Sequence, residues 1–281
     1  MNTALRRSLL AGLVLVHMGG PPTAYLVRAE LVRDGAGLVR EVVDGDTVIL
    51  ADGREIRLVG IQAPKLPLGR RNFREWPLAR EAKAALERLV MGRRVTLSFG
   101  GRRRDRYRRW LAHLHLEAGA DQSGSGAPRR RFDNARWVQG AMLSEGLARV
   151  YSFADNRSAI AEMLARERAA RAARRGIWGH AYYRILDHRE AGRHINSFQL
   201  VEGRVLTAAP TRRRVFLNFG QNYRTDFTIV IERRNLKHFA DRGRRLVELA
   251  GKRVRVRGWL KRRNGPMITV THPEQIEILE R

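Results

Sequence analysis

The sequence predicts a mainly β protein with helices, an α+β fold in which an OB-type barrel is followed by a second OB-like β-barrel domain. Three strands, a helix, two strands and further helices follow one another, which is the order of a small Greek-key barrel with helical additions. Residues 198–281 repeat the β-β-β-α-β-β pattern. The predicted organisation is a leader over 1–29, a barrel domain over 36–180, a linker over 181–197 and the second domain over 198–281.

The elements of the first domain are predicted from the alternation of apolar and polar residues and from the glycines and prolines that end helices and strands. We predict strands at 35–45, 47–50, 55–61, 95–99 and 110–116, and helices at 78–91, about 134–148 and 154–175. The Asp52-Gly53 pair between two apolar runs is typical of a hairpin. Pro77 occupies the position that proline favours at a helix start. The segments 64–77 and 118–131 are rich in breakers and arginine and are predicted as loops.

The second domain is predicted to contain strands at 198–206, 215–219, 225–231, 253–260 and 267–270, with one helix at 235–249. A polar and aromatic cluster marks one hairpin of this domain: Asn218, Asn222, Tyr223, Arg224 and Asp226. Such clusters on OB-type barrels stack bases and contact the phosphate backbone. The alternative interpretation is turn chemistry around one packed tyrosine.

Charge limits the classes of partner. The chain has 55 Lys+Arg against 28 Asp+Glu, a net charge of +27. A field of that sign attracts polyanions, so nucleic acid, DNA or RNA, is the expected partner, followed by anionic membranes and acidic polymers. The chain has no cysteine, which excludes disulfide-linked partners, thiolate metal sites and cysteine nucleophiles.

The first residues resemble an export signal. Arg6 and Arg7 precede an apolar run over 9–18, and glycines and prolines follow over 19–22. A basic start, a short apolar stretch and then breakers are typical of a secretory signal, and the run is short for a membrane span. We expect a secreted or periplasmic protein, with an uncleaved N-terminal anchor as the alternative.

Four motifs occur in a fixed order: Asp44-Gly45-Asp46-Thr47, the strand Arg57–Ile61 with Gln62-Ala63-Pro64, the turn Asp105-Arg106-Tyr107-Arg108-Arg109, and Gly176-Ile177-Trp178. Together they resemble the staphylococcal nuclease (thermonuclease) family over about residues 36–180. The resemblance implies an OB-fold barrel of that type. It also implies calcium-dependent hydrolysis of phosphodiesters in DNA and RNA.

The resemblance assigns roles to individual residues. Asp46 matches the first metal carboxylate, a hard oxygen ligand of the kind that Ca²⁺ prefers. Arg57 and Arg109 match the two arginines that clamp the scissile phosphate, where guanidinium groups stabilise developing charge. Tyr107 falls where a tyrosine lines the phosphate pocket, and Asp105 where an acidic residue borders it.

The chain departs from the family at two acidic positions. Gln62 stands where the family has its second metal carboxylate, and Ala63 contributes a backbone carbonyl to the metal site. Lys65 replaces the glutamate that serves as general base, and a lysine acts as base only if its pKa falls by several units. Lys65 is alternatively a phosphate contact. Glu75 in the 64–77 loop is the candidate replacement base, the alternative being a salt-bridged loop residue.

Three hypotheses remain open at this point. The first is a calcium-assisted phosphodiesterase, impaired or with a rearranged base. The second is a catalytically inactive pseudo-nuclease that binds nucleic acid through its basic surface. The third is a cell-envelope protein that binds anionic lipid or polymer.

His113 and His115 alternate on one strand, as a pair of metal ligands would. No third metal ligand lies nearby in the sequence, and we expect both histidines at the surface.

Overall fold

The computed structural model describes residues 31–116 and 137–279. The predicted leader over 1–29 and the predicted insertion over 118–131 lie outside these residues. Within them, no helix is both long enough and apolar enough to cross a membrane.

The elements of the first domain are β1 Val32–Asp44, β2 Thr47–Leu50, β3 Glu55–Leu58, β4 Gly60–Gln62, α1 Ala79–Val90, β5 Arg94–Phe99, β6 Trp110–Leu116, α2 Val138–Ser144, β7 Arg149–Tyr151 and α3 Ile160–Ala172. Five of the strands close into a barrel in the order β1-β2-β3-β6-β5, which confirms the predicted barrel. The long strand β1 makes closure possible, because one part of it pairs with β5 and the rest with β2. The pair β3–β6 is parallel, and β4 pairs with β7 outside the barrel.

The turn between β1 and β2 packs against α1. A Cβ atom at Gly45 would lie 2.7 Å from the Cβ atom of Ala63 and 2.8 Å from that of Ala82. Only glycine allows this approach, since real Cβ atoms do not come so close. The turn that carries Asp44 and Asp46 is therefore fixed between the helix and the strand end that leads to Lys65.

The second domain contains β8 Leu186–Asp187, β9 Phe198–Arg204, β10 Thr207–Pro210, β11 Arg214–Asn218, β12 Thr228–Glu232, β13 Arg253–Arg263, β14 Gly265–Val270 and β15 Ile276–Ile278. They form one sheet in the order β10-β11-β12-β14-β13-β9-β8, with β15 on β13. This hydrogen-bonded path is open among the described residues, so a second closed barrel is not confirmed. The pairing order nevertheless repeats that of the first domain, including one parallel pair, β12–β14.

The helix predicted at 235–249 is wrong. The segment forms two 3-10 pieces, Arg233–His238 and Ala240–Leu249, separated by Phe239 in an extended conformation. Asp241 and Gly243 have positive φ angles of 50° and 82°, which an α-helix does not accommodate. The apolar residues of this segment nevertheless face the core, because Phe239, Leu246 and Leu249 are buried in the second core.

A buried ion-pair cluster joins the two domains. Arg257 of β13 is 1% exposed and pairs with Glu167 of α3 at 2.8 Å and with Glu277 of β15 at 2.6 Å. A buried arginine needs such anionic partners to offset its desolvation.

The predicted linker over 181–197 carries β8 and the 3-10 segments Ala181–Tyr183 and His188–His194.

Candidate functional site

The predicted site forms around the turn between β1 and β2. The backbone N–H of Asp46 donates to Asp44 Oδ1 at 3.0 Å, which shapes the turn. Asp46 is 0% exposed and Asp44 is 4% exposed. Two buried carboxylates are thus brought together at the turn between β1 and β2, where burial makes their compensation by positive charge necessary.

Lys65 supplies that positive charge. Its Nζ atom donates to Asp46 Oδ1 at 2.6 Å, to Asp46 Oδ2 at 2.7 Å and to Asp44 Oδ2 at 3.0 Å. An ammonium group has three donors, and these three contacts use all of them. The loop is held in place by the backbone N–H of Trp76, which donates to the carbonyl of Lys65 at 3.0 Å.

Asp46 has further partners. Its Oδ2 atom accepts from the backbone N–H of Ala63 at 2.7 Å, and its Oδ1 atom lies 3.2 Å from Arg57 Nη1. Burial on its own would raise the pKa of Asp46, but the charges of Arg57 and Lys65 and the hydrogen bonds from Lys65 and Ala63 lower it to about 2. Asp46 is therefore ionised throughout the neutral range.

Arg57 is held by the backbone around it. Nη1 donates to the carbonyls of Asp46 at 3.1 Å and Leu58 at 2.8 Å, and Nη2 donates to the carbonyl of Ile61 at 2.7 Å. Its side chain is 13% exposed. An arginine on an apolar strand needs an anionic partner. Asp46 is that partner, and both terminal nitrogens of Arg57 also donate to main-chain oxygens.

The Gln62 side chain binds an arginine. Strands β4 and β7 place Gln62 directly opposite Arg149, and Gln62 Oε1 accepts from Arg149 Nε at 3.0 Å and Nη2 at 2.8 Å. Burial lowers the pKa of Arg149 to about 10. Both lone pairs of the amide oxygen are occupied by this bidentate contact.

The donor set can be compared with what calcium requires. Ca²⁺ takes six to eight oxygen ligands at about 2.3–2.6 Å. The facing oxygens of Asp44 and Asp46 accept from Lys65, and the amide oxygen of Gln62 accepts from Arg149. No group of three or more His, Cys, Asp or Glu side chains with metal-binding geometry occurs within 31–116 and 137–279. With Lys65 in this position, the residues do not fit a calcium ion.

The turn between β5 and β6 holds the other predicted phosphate contacts. Asp105 Oδ1 accepts from the backbone N–H groups of Tyr107 at 2.9 Å and Arg109 at 3.0 Å. Its Oδ2 atom lies 2.8 Å from both Nε and Nη2 of Arg109, a two-point ion pair. Glu55 lies 3.9 Å from the same guanidinium. The Tyr107 ring is 64% exposed, with the Arg106 guanidinium 4.7 Å from its centre.

The Glu75 carboxylate forms an ion pair with an arginine of α1. Its Oε1 atom pairs with Arg80 Nε at 3.0 Å, and the Arg80 side chain is 81% exposed. This is the salt-bridged arrangement that the sequence left open as the alternative to a base. Its role as a base remains a prediction.

His113 and His115 are not at the surface as the sequence led us to expect. They are 2% and 6% exposed, and His113 packs 5.8 Å from the ring of Trp137. Burial lowers the pKa of His113 to about 3, with a smaller contribution from His115. The segment that covers this strand comes from later in the chain, so strand alternation alone could not reveal the burial.

Two residues of the site were missed. The motifs give Asp44 no role of its own, although its carboxylate binds Lys65. Arg149 was not assigned at all; it lies 87 residues from Gln62 in sequence. A single arginine among the apolar residues Leu147, Ala148 and Val150 was the available signal, because such an arginine requires a buried acceptor.

Comparison with known proteins agrees with the motifs. A model of the staphylococcal nuclease homologue family matches residues 55–180. Protein ParB from Escherichia coli is 34% identical to this chain over 171 residues, which make up 60% of this chain and 81% of ParB. The matched region includes the barrel strands from β3 onward, the arginine-rich turn and α3.

Proposed function

Because the chain belongs to the staphylococcal nuclease homologue family, we propose that it binds nucleic acid through its basic barrel surface and does not hydrolyse it. This is the pseudo-nuclease alternative. The observation that carries it is the position of Lys65 Nζ, 2.6–3.0 Å from oxygens of both Asp46 and Asp44. The lysine takes the place of a bound cation and stands where the family has its carboxylate base.

The binding surface is the arginine-rich turn between β5 and β6. Arg102, Arg104, Arg106 and Arg108 are exposed, and none of them has a carboxylate within ion-pair distance among the described residues. Exposed Tyr107 lies between them and offers a ring for a base to stack on. Guanidinium groups that have no carboxylate partner and lie beside an exposed ring suit phosphates and bases of a nucleic acid, DNA or RNA.

Calcium-assisted hydrolysis of DNA or RNA is the second candidate. It is favoured by the presence of Asp46, Arg57 and Arg109 at the positions that the family uses. It requires Lys65 to release both carboxylates and Arg149 to release the amide oxygen of Gln62. Breaking these buried contacts carries a free-energy cost, which is why we place this function second.

The first experiment measures cleavage of single-stranded DNA with calcium at millimolar concentrations and with EDTA. Wild type is compared with Gln62→Asp/Lys65→Glu, which restores the family's carboxylates. We expect no calcium-dependent cleavage by wild type and a gain of cleavage by the double variant. Cleavage by wild type that Asp46→Ala abolishes would contradict the proposal and establish the hydrolase.

Binding is measured separately by fluorescence anisotropy against salt concentration. Arg106→Gln/Arg108→Gln should weaken binding and flatten the salt dependence, because each lost phosphate contact reduces the slope by about 0.7 for a single strand. Arg168→Gln/Arg174→Gln removes the same charge from two exposed arginines, one in α3 and one just after it, and should have a smaller effect. Equal binding to anionic vesicles, unaffected by the first variant, would favour the envelope hypothesis instead.

We also propose that the protein is exported to the periplasm or beyond the cell. The basic and apolar leader over 1–29 supports this proposal. Cell fractionation and N-terminal sequencing of the mature protein test it. A protein recovered from the cytoplasm with Met1 intact would refute it.

A further inference from the structure

A groove lies on the outer face of the second sheet. Along β11, Val215 and Leu217 point into the core, so Arg214, Phe216 and Asn218 point outward. The register carries this face across the sheet: Phe216 lies opposite Val230 of β12 and opposite Ala209 of β10. The face is thus a continuous outward surface over β10, β11, β12 and β14.

The groove has the size and lining of a ligand site. It encloses a cavity of about 400 Å³, and its walls include Phe216, Tyr223, Met267, Arg214 and Arg263. Ligand pockets in proteins are typically about 300–1,000 Å³ and combine apolar walls with a few polar groups. The space is therefore sufficient for one or two nucleobases.

Two aromatic rings border this space. Phe216 is half-buried at the centre of the face, and Tyr223 is 57% exposed in the turn between β11 and β12. The Arg224 guanidinium lies 5.8 Å from the centre of the Tyr223 ring. Exposed rings next to arginine form a stacking platform that accepts any base.

The charge around the groove is positive at both ends. Arg212 and Arg213 lie in the turn before β11, and Lys261, Arg262 and Arg263 lie at the turn between β13 and β14. All five are exposed and none has a carboxylate within ion-pair distance among the described residues.

The acidic groups near the groove are already engaged. Glu232 pairs with Arg234 at 2.8 Å. Asp226 accepts from the backbone N–H of Asn222 at 2.9 Å and from the hydroxyl of Thr225 at 3.2 Å. The basic side chains around the groove outnumber these two carboxylates, so the net charge of the groove is positive, which is complementary to a phosphate backbone.

We propose that this groove binds single-stranded nucleic acid, with bases stacked on Tyr223 and Phe216 and phosphates held by Arg214 and Arg263. A single strand is the occupant because stacking requires base faces, which a duplex keeps covered. The strand order of this sheet supports the assignment, since the equivalent face of OB-type barrels, between strands two and three and their flanking turns, binds oligonucleotides. The site is separate from the barrel turn but rests on the proposed function in that both take nucleic acid.

The test is fluorescence anisotropy of the full-length protein with a short labelled oligo(dT) and with a duplex of the same length. Tyr223→Ala should weaken single-strand binding at least about fivefold and leave duplex binding unchanged, given the usual contribution of one stacked base. Tyr223→Trp should retain the affinity, and quenching of its fluorescence should accompany binding. Tyr182→Ala removes another exposed ring, 51% exposed, and should have no effect.

The outcomes separate the two proposals. Single-strand binding that is unchanged in Tyr223→Ala but weakened in Arg106→Gln/Arg108→Gln would overturn the groove and leave the barrel turn as the binding surface. Failure of the wild-type protein to bind any nucleic acid would overturn both. Loss of single-strand affinity in Tyr223→Ala that Tyr223→Trp does not rescue would also contradict stacking.

Discussion

Replacing Lys65 by methionine tests whether this lysine takes the place of a cation. The substitution removes the ammonium group and keeps a side chain of similar length. In the protein, Lys65 Nζ lies 2.6 Å from Asp46 and 3.0 Å from Asp44. Without it, Asp46 keeps Arg57 at 3.2 Å and Asp44 keeps the backbone N–H of Asp46. Two buried carboxylates then share one cation.

The expected cost follows from this geometry. Removing one member of a fully buried ion pair costs about 3–5 kcal/mol. Lys65 retains 18% side-chain exposure and Arg57 still neutralises part of the charge, so we expect the free energy of unfolding to fall by about 2–3 kcal/mol. For domains of this size, the corresponding decrease in Tm is about 4–12 °C. Calcium at ten times its dissociation constant should then restore about 1.4 kcal/mol to the variant.

Urea denaturation and thermal melts, each with calcium and with EDTA, measure both effects. Lys83→Met is the matched control, because Lys83 pairs with Glu87 at 3.7 Å and both side chains are more than a third exposed. Its loss should be at most about 1 kcal/mol and independent of calcium. Calcium that stabilises wild type as much as Lys65→Met would refute the reasoning, since lysine and metal would then not compete for the same oxygens.

Two further predictions concern stability. Because burial lowers the pKa of His113 to about 3 from an unfolded value of 6.5, stability is fully present above pH 6.5 and is lost as the pH falls toward 3. His113→Gln should reduce the pH dependence of the free energy of unfolding between pH 7 and 5, measured by urea denaturation, whereas substitution of exposed His180 should not. An unchanged pH dependence in His113→Gln would contradict the buried, neutral state of His113. Glu167→Gln should cost about 2–3 kcal/mol, below the about 3–5 kcal/mol of a buried ion pair that loses one member, because Glu277 still pairs with Arg257 at 2.6 Å. Glu87→Gln at the surface should cost less than about 1 kcal/mol, and equal losses in the two variants would contradict the buried cluster.

Local sequence was sufficient for the barrel and for the turn that starts the site. Strands Thr47–Leu50 and Trp110–Leu116 have the predicted bounds, because alternation and turn residues act over a few positions. The Asp44–Asp46 turn and the Arg57 strand lie where the motif placed them. The second sheet has its predicted strands approximately in place, but β8, β10 and β15 were missed. Strands of two to four residues are too short for alternation to be detected.

The sequence by itself therefore determined the family, the charge and the loss of two acidic positions. Only the tertiary structure decided what the replacements do. Lys65 lies against Asp44 and Asp46, which are 21 and 19 residues away, and Gln62 binds an arginine 87 residues away. Partners at such separations are fixed by how strands and loops pack, and no local periodicity encodes them. The physical reason is that a buried charge needs a partner beside it in the folded structure, and that partner can come from any position along the chain.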